Sequence, residues 1–109
     1  MSISISTHVL NLADGQPAAG MQITLQEADG TTLASAATDD DGRIGSWPGV
    51  SALPTGNYRL VFGASDWFAA RGEDCFFPSV AIDFAASTER HYHVPLLVNR
   101  YGYSTYRGS

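Results

Sequence analysis

The sequence predicts an all-β fold, an antiparallel β-sandwich with one short helix. Apolar and polar residues alternate with a period of two along much of the 109-residue chain, which is typical of strands that bury one face. Clusters of Gly, Asp, Pro and Asn separate the alternating segments, as expected for tight turns. Helical periodicity is scarce, so we expect the core to lie between packed sheets.

The first half of the chain contains four predicted strands. Residues 2–12 alternate, so Ile5 and Val9 share one face and His8 falls on the other. Three more strands are expected over 21–26, over 33–38 and from Arg43 to the Trp47-Pro48 break. The acidic turn Asp39–Gly42 lacks the spaced ligands and closing Glu of an EF-hand, so it does not match a calcium loop.

The second half contributes four predicted strands and the helix. A strand over 57–63 is followed by a helix capped by Ser65 or Asp66 and ended by Gly72. Strands are then expected over 79–84, 89–98 and 101–109. Since Pro95 has no N–H to donate, we expect a bulge or a missing hydrogen bond beside it.

Composition and charge exclude several functional classes. The chain has six basic and eleven acidic residues and a net charge of −5, so neither nucleic acid nor an anionic membrane is an expected partner. No run approaches the roughly 18 apolar residues that span a bilayer. The length fits one domain, 1–109. The lone Cys75 and the absence of a signal-like N-terminus lead us to expect a cytoplasmic protein.

Two histidines form the first candidate site. His91 and His93 are two residues apart on one predicted strand, so their rings share a face, as an acid–base pair or a two-histidine metal site would need. Spacing alone favours a solvated strand face. A zinc shell needs three or four ligands and only His8 is left to join them, so no metal or other cofactor is expected. Arg43, by itself, is most simply a surface charge.

The C-terminus carries the most specific signal. Its last nine residues, 101–109, read YGYSTYRGS, and this ending resembles the 5-hydroxyisourate hydrolases, transthyretin-like enzymes of purine catabolism. Segments 6–10 (STHVL) and 91–97 (HYHVPLL), and the run from Thr38 through Asp41-Gly42-Arg43, match that family in order and approximate spacing. The resemblance covers essentially the whole chain. It departs at Asn99-Arg100, where the family commonly has Ser-Pro, which alters a turn.

This resemblance implies a fold, an assembly and a reaction. The implied fold is a transthyretin-like sandwich of two four-stranded sheets, assembled as a homotetramer that is a dimer of dimers. The implied reaction is metal-free hydrolysis of 5-hydroxyisourate to 2-oxo-4-hydroxy-4-carboxy-5-ureidoimidazoline. His8, Arg43, His93 and Ser109 are then the expected catalytic residues, and His8, Arg43 and Tyr106 the expected substrate-binding residues. His8, Arg43, His93 and Tyr106 should project from the outer face of one sheet, with His91 supporting His93.

Two other functions are compatible with such a fold. Transthyretins carry small aromatic hormones in a channel between dimers, but carriers of that type lack the two histidines, the arginine and the Tyr-Arg-Gly-Ser ending. Structural sandwiches of the kind found in adhesins and carboxypeptidase-associated domains resemble only residues 37–43 and leave 91–109 unexplained.

Overall fold

The computed structural model describes residues 2–109, which form nine strands and one short helix. In chain order they are β1 (Ser4–Asn11), β2 (Gln16–Pro17), β3 (Gln22–Glu27), β4 (Thr32–Ala37), β5 (Arg43–Ile44), β6 (Gly56–Phe62), α1 (Ala64–Ala69), β7 (Val80–Ala86), β8 (His91–Val98) and β9 (Tyr103–Thr105). The predicted all-β sandwich with one helix is confirmed. Across the described residues no helix combines the length and apolar character needed to cross a membrane.

The first sheet has the order β2-β1-β8-β9, and the two-residue strand β5 also pairs with β1. It therefore has five strands where four were expected. The strands β1 and β8 run parallel and in register from Ser4 beside His91 to Asn11 beside Val98. The alternation of the sequence could not reveal this direction, because side chains alternate equally in parallel and antiparallel strands.

The second sheet has the order β4-β3-β6-β7, and all its neighbours are antiparallel. Its inner face meets that of the first sheet, and the largest fully buried side chains include Phe62, Leu25 and Leu96. Each side chain of this type contributes about 1.5–3 kcal/mol when it is fully buried. The side chains that were predicted to face inward from β1, β6 and β8 therefore form part of this core.

The helix begins differently from the prediction. Its N-cap is Gly63, with no side-chain cap, so the expected capping by Ser65 or Asp66 is wrong. Gly63 is fixed to the neighbouring strand, since its N–H donates to the carbonyl of Gln22 at 2.8 Å. The helix ends at Ala69, before the predicted stop at Gly72, which has a left-handed φ of +76° in the turn that follows.

Pro95 is accommodated without a bulge. The pairing of β8 with β1 is continuous past Pro95, whereas pairing with β9 reaches only Leu96 beside Thr105. The Pro95 carbonyl accepts a hydrogen bond from Thr105 Oγ1 at 2.7 Å. The last segment rejoins β8 through a bridge between His93 and Gly108. The predicted strand over 101–109 is thus three residues long, with a gap opposite the proline.

The turn that departs from the family pattern is held by Asn99 and Arg100. The Tyr101 N–H donates to Asn99 Oδ1 at 2.9 Å. Arg100 forms an ion pair with Asp74, its Nε donates to the Asp74 carbonyl at 2.8 Å, and its own carbonyl accepts from the Phe76 N–H. Arg100 therefore connects this turn to the loop that precedes β7.

Candidate functional site

His8 and Arg43 lie side by side on the outer face of the first sheet. They are directly paired residues of β1 and β5, so their side chains leave the sheet on the same side. The turn before Arg43 positions it, because Asp39 Oδ1 accepts the Asp41 and Arg43 N–H groups at 2.9 Å each. Gly42 has φ +74°, and a Cβ there would lie 2.5 Å from the Val9 carbonyl oxygen. Only glycine fits this close approach.

His93 reaches the same face from β8. In the parallel register it lies beside Ser6, one alternation from His8. Ser6 Oγ lies 2.8 Å from His93 Nδ1 and 2.7 Å from His91 Nε2. Ser4 Oγ lies 2.6 Å from His91 Nδ1. Four side chains therefore form one hydrogen-bonded chain across two strands, with His93 at the end nearer to His8.

The C-terminal segment covers the other side of the His93 ring. The Gly108 N–H donates to the His93 carbonyl at 2.8 Å. A Cβ on Gly108 would lie 2.5 Å from His93 Cδ2, far inside the 3.5–4.0 Å at which carbon atoms normally meet. Gly108 therefore allows the backbone to contact the imidazole directly, and it places the terminal Ser109 next to that contact.

Both site histidines have lowered pKa values. Burial is the largest cause for His8 and lowers its pKa below the ordinary 6.5; the Arg43 charge lowers it further, while a hydrogen bond with the Asp41 backbone opposes the shift. For His93, burial again leads, followed by the charges of Arg43, His8 and His91. Both imidazoles are consequently neutral at pH 7 and able to accept a proton.

The structure brings together most of the predicted site residues. His8, Arg43 and His93 share one face, and Ser109 follows the glycine that contacts His93. Strand pairing does not fix the position of Tyr106. It is 59% exposed and, together with Tyr92, lines a cavity of about 310 Å³. The chain has left the β9 ladder by this residue, so the alternation that placed Tyr106 outward no longer applies.

Sequence reasoning gave no role to the residues that hold these groups. Ser4, Ser6, Gly108 and Asp39 each position a side chain or backbone of the site. A signal was present, because two serines two residues apart in β1 match two histidines two residues apart in β8. It becomes informative only once the parallel register is known. Among residues 2–109 there is no cluster of three or more His, Cys, Asp and Glu side chains that could bind a metal.

The arrangement defines a class of protein. Two neutral imidazoles and a guanidinium on the outer face of a small β-sandwich can move protons and bind an anionic or carbonyl oxygen, which are the elements of acid–base hydrolysis. A family model described as Transthyretin, HIUase/Transthyretin family, matches residues 5–108, and the chain belongs to this family.

Individual relatives agree with this assignment. The 5-hydroxyisourate hydrolase of Salmonella dublin is 44% identical over 110 residues, which cover 96% of this chain and 80% of the relative. The solved 5-hydroxyisourate hydrolase of Klebsiella pneumoniae superposes with a TM-score of 0.88 at 38% identity, with both chains fully covered. The transthyretin of Sparus aurata gives a TM-score of 0.86 at 25% identity over 95% of each chain. The predicted transthyretin-like fold is thereby confirmed.

Proposed function

We propose that this protein hydrolyses 5-hydroxyisourate to 2-oxo-4-hydroxy-4-carboxy-5-ureidoimidazoline. The observation that carries the proposal is the meeting of His8, Arg43 and His93 on one face, in a chain whose relatives include 5-hydroxyisourate hydrolases. Opening the ring requires a water made nucleophilic, a stabilised oxyanion and a proton for the departing nitrogen. These three side chains can provide all of these functions.

His93 is the better candidate for the general base. Its Nδ1 contacts Ser6, and within residues 2–109 its Nε2 has no hydrogen-bond partner, so a water held there can lose a proton to it. The hydroxide oxygen adds to the ring carbonyl carbon, the carbon–nitrogen bond breaks, and the nitrogen takes up a proton. His8 lies beside Arg43 and is placed to hold or protonate the substrate from the opposite side.

Arg43 supplies the positive charge. Among the described residues its guanidinium forms no ion pair, so its donors are free for the carbonyl oxygen on which negative charge develops. Removal of one such donor costs about 100- to 1,000-fold in rate. Ser109 is proposed to act beside His93, and Tyr106, which is 59% exposed, to contact the substrate.

We also propose a homotetramer formed as a dimer of dimers. The site lies on an open outer face, where another sandwich could enclose a substrate and exclude water. Large aromatic side chains near the C-terminus are exposed, including Tyr101 at 66% and Tyr103 at 42%, which is typical of surfaces that bind a partner. Light scattering after size exclusion tests this assembly, and a monomer at micromolar concentration would refute it.

A cytoplasmic location is part of the proposal. The one cysteine, Cys75, is free, in keeping with a reducing compartment. Cell fractionation with an antibody to the native chain tests the location. Recovery outside the cytoplasmic fraction would refute it.

The decisive experiment is an ultraviolet assay. Urate is oxidised in situ to 5-hydroxyisourate, and the absorbance of this intermediate is followed with protein and chelator present, against its spontaneous decay. Acceleration that survives chelation, and that falls at least about 100-fold in His93→Ala, supports a metal-free hydrolase. Ser35→Ala, on an exposed position of β4, is the control and should match the wild type. A folded wild type that does not accelerate decay refutes the enzyme and leaves ligand transport as the function to test.

A further inference from the structure

The hydrogen-bonded chain on the outer face extends beyond what hydrolysis itself requires. Its members are His93, Ser6, His91 and Ser4, joined by contacts of 2.8, 2.7 and 2.6 Å. Each contact joins a histidine ring nitrogen to a serine hydroxyl. A hydroxyl can donate and accept at the same time, and a ring nitrogen does one or the other according to the tautomer. His93 is half-buried, whereas His91 and Ser4 are exposed. The chain therefore runs continuously from the candidate base to solvent.

We propose that Ser6, His91 and Ser4 form a proton relay that carries the proton accepted by His93 to solvent. This inference rests on the proposed function, since it concerns a proton released during hydrolysis. It assigns a positioning and relay role to three residues that act through His93.

The number of hydrogen atoms restricts the chain to a definite direction. A serine hydroxyl has one proton, so Ser6 can donate to only one of the two imidazoles that it contacts, and the other imidazole must donate to it. When His93 is ready to act as a base, Nδ1–H donates to Ser6, Ser6 donates to His91 Nε2, and His91 Nδ1–H donates to Ser4. The lone pair of His93 Nε2 is then directed away from the chain.

Each proton moves by one position when the base acts. His93 Nε2 takes a proton from water, and the Nδ1 proton passes to Ser6 Oγ as the Ser6 proton passes to His91 Nε2. The His91 Nδ1 proton passes to Ser4 Oγ, whose own proton leaves to bulk water. One proton enters and one leaves, and His93 ends neutral with its proton on Nε2. Reverse passage of a proton from solvent supplies the departing nitrogen.

The electrostatics of the site favour such a path. A proton that stayed on His93 would create an imidazolium close to Arg43, and burial together with the charges of Arg43, His8 and His91 already disfavours that cation. Movement of the charge to the exposed end of the chain places it in water, where its solvation costs least. The relay thus lets a half-buried histidine act as a base without remaining positively charged beside the guanidinium.

The test compares three variants in the ultraviolet assay. Ser6→Ala interrupts the chain between the histidines, His91→Phe interrupts it with a ring that cannot carry protons, and Ser6→Thr restores a hydroxyl. We expect kcat to fall about 10-fold in the first two with KM within about twofold, as befits partial loss of an acid–base contribution of about 100- to 10,000-fold. Ser6→Thr should recover most of the rate, and Ser35→Ala is the matched serine control.

Added imidazole buffer separates a relay from a purely structural role. It should restore kcat in His91→Phe, after subtraction of the uncatalysed decay in the same buffer, because small bases can collect the proton directly. Nitrogen-15 shifts of His93 should also show a changed Nδ1–H population in Ser6→Ala, a measurement that needs no substrate. An active wild type with an unimpaired or unrescued His91→Phe overturns the relay alone. An inactive wild type overturns the proposed function and the relay with it.

Discussion

Replacement of Gly108 by alanine tests how closely the C-terminal segment positions the site. The added Cβ would lie 2.5, 3.2 and 3.3 Å from Cδ2, Cγ and Cβ of His93. Carbon atoms normally meet at about 3.5–4.0 Å, so the ring or the terminal backbone must move by about 1 Å. The φ of Gly108 is not in the left-handed region, so the obstacle is steric, and the three atoms nearest to the added Cβ all belong to His93.

A displacement of about 1 Å should lower kcat strongly and change the free energy of unfolding little. Misplacement of a reacting group by about 1 Å costs about 100-fold in rate, and we expect this loss in kcat for Gly108→Ala. The free energy of unfolding should change by less than about 0.5 kcal/mol, as for most surface substitutions, because Gly108 joins β8 through an isolated bridge and not through a continuous ladder.

The measurements are kcat for 5-hydroxyisourate and the midpoint of urea unfolding. Gly102→Ala is the matched control, since it lies in the same terminal segment and its Cβ would meet only Asn99 Oδ1 at an ordinary 3.8 Å. It should retain wild-type kcat. Gly108→Ala with kcat within twofold of the wild type would refute the argument that this contact fixes the His93 ring.

Three further predictions concern stability and pH. Gly42→Ala should lower the free energy of unfolding by more than the about 1–3 kcal/mol that backbone strain alone costs, because its Cβ also meets the Val9 carbonyl. Gly15 has a similar φ but open space around it, so Gly15→Ala should lower the free energy of unfolding by the strain alone. Urea titration measures both variants. Thr38→Val removes two buried hydrogen bonds to backbone groups and should cost about 1–3 kcal/mol for each group left unpaired, measured in the same way. Because the pKa values of His8 and His93 are lowered and a general base must be neutral, kcat/KM should fall to half of its plateau only at a pH below the 6.5 of an unshifted histidine, as a pH-rate profile would show.

Each of these predictions has an outcome that would contradict it. Equal losses in Gly42→Ala and Gly15→Ala would mean that the approach to the β1 carbonyl is not tight. An unchanged unfolding midpoint in Thr38→Val would mean that water reaches those backbone groups. A half-maximal kcat/KM at or above pH 6.5 would contradict the lowered pKa values of the two histidines.

The sequence pattern predicted the core and eight of the nine described strands, and it missed the two-residue strand β2. It identified the inward faces of β1, β6 and β8 correctly because burial alternates along these strands, with Pro95 in β8 as the exception. It could not give strand direction or partners, which depend on how the connections cross between sheets. The helix cap was missed for a related reason, since Gly63 is chosen by its contact with β3 and not by any side-chain signal.

Prediction of the site had the same limit. His8 and His93 are 85 residues apart in number, and only the parallel pairing of β1 with β8 brings their faces together. The resemblance to a family supplied that proximity, whereas the residues alone favoured a solvated strand. Neither the residue pattern nor the family resemblance gave Ser6 a role, because a serine on a polar strand face has no distinguishing pattern until its partner is known.

The first strand determines the geometry of the site. β1 pairs with β5 to place Arg43 beside His8, and it pairs with β8 to place Ser6 beside His93. The second sheet packs against the inner face of the first and contributes buried apolar surface. Activity and stability should therefore separate by face: polar substitutions on the outer face of β1 change kcat and leave the fold intact, whereas truncations on its inner face, such as Val9→Ala, lower stability before they alter the chemistry.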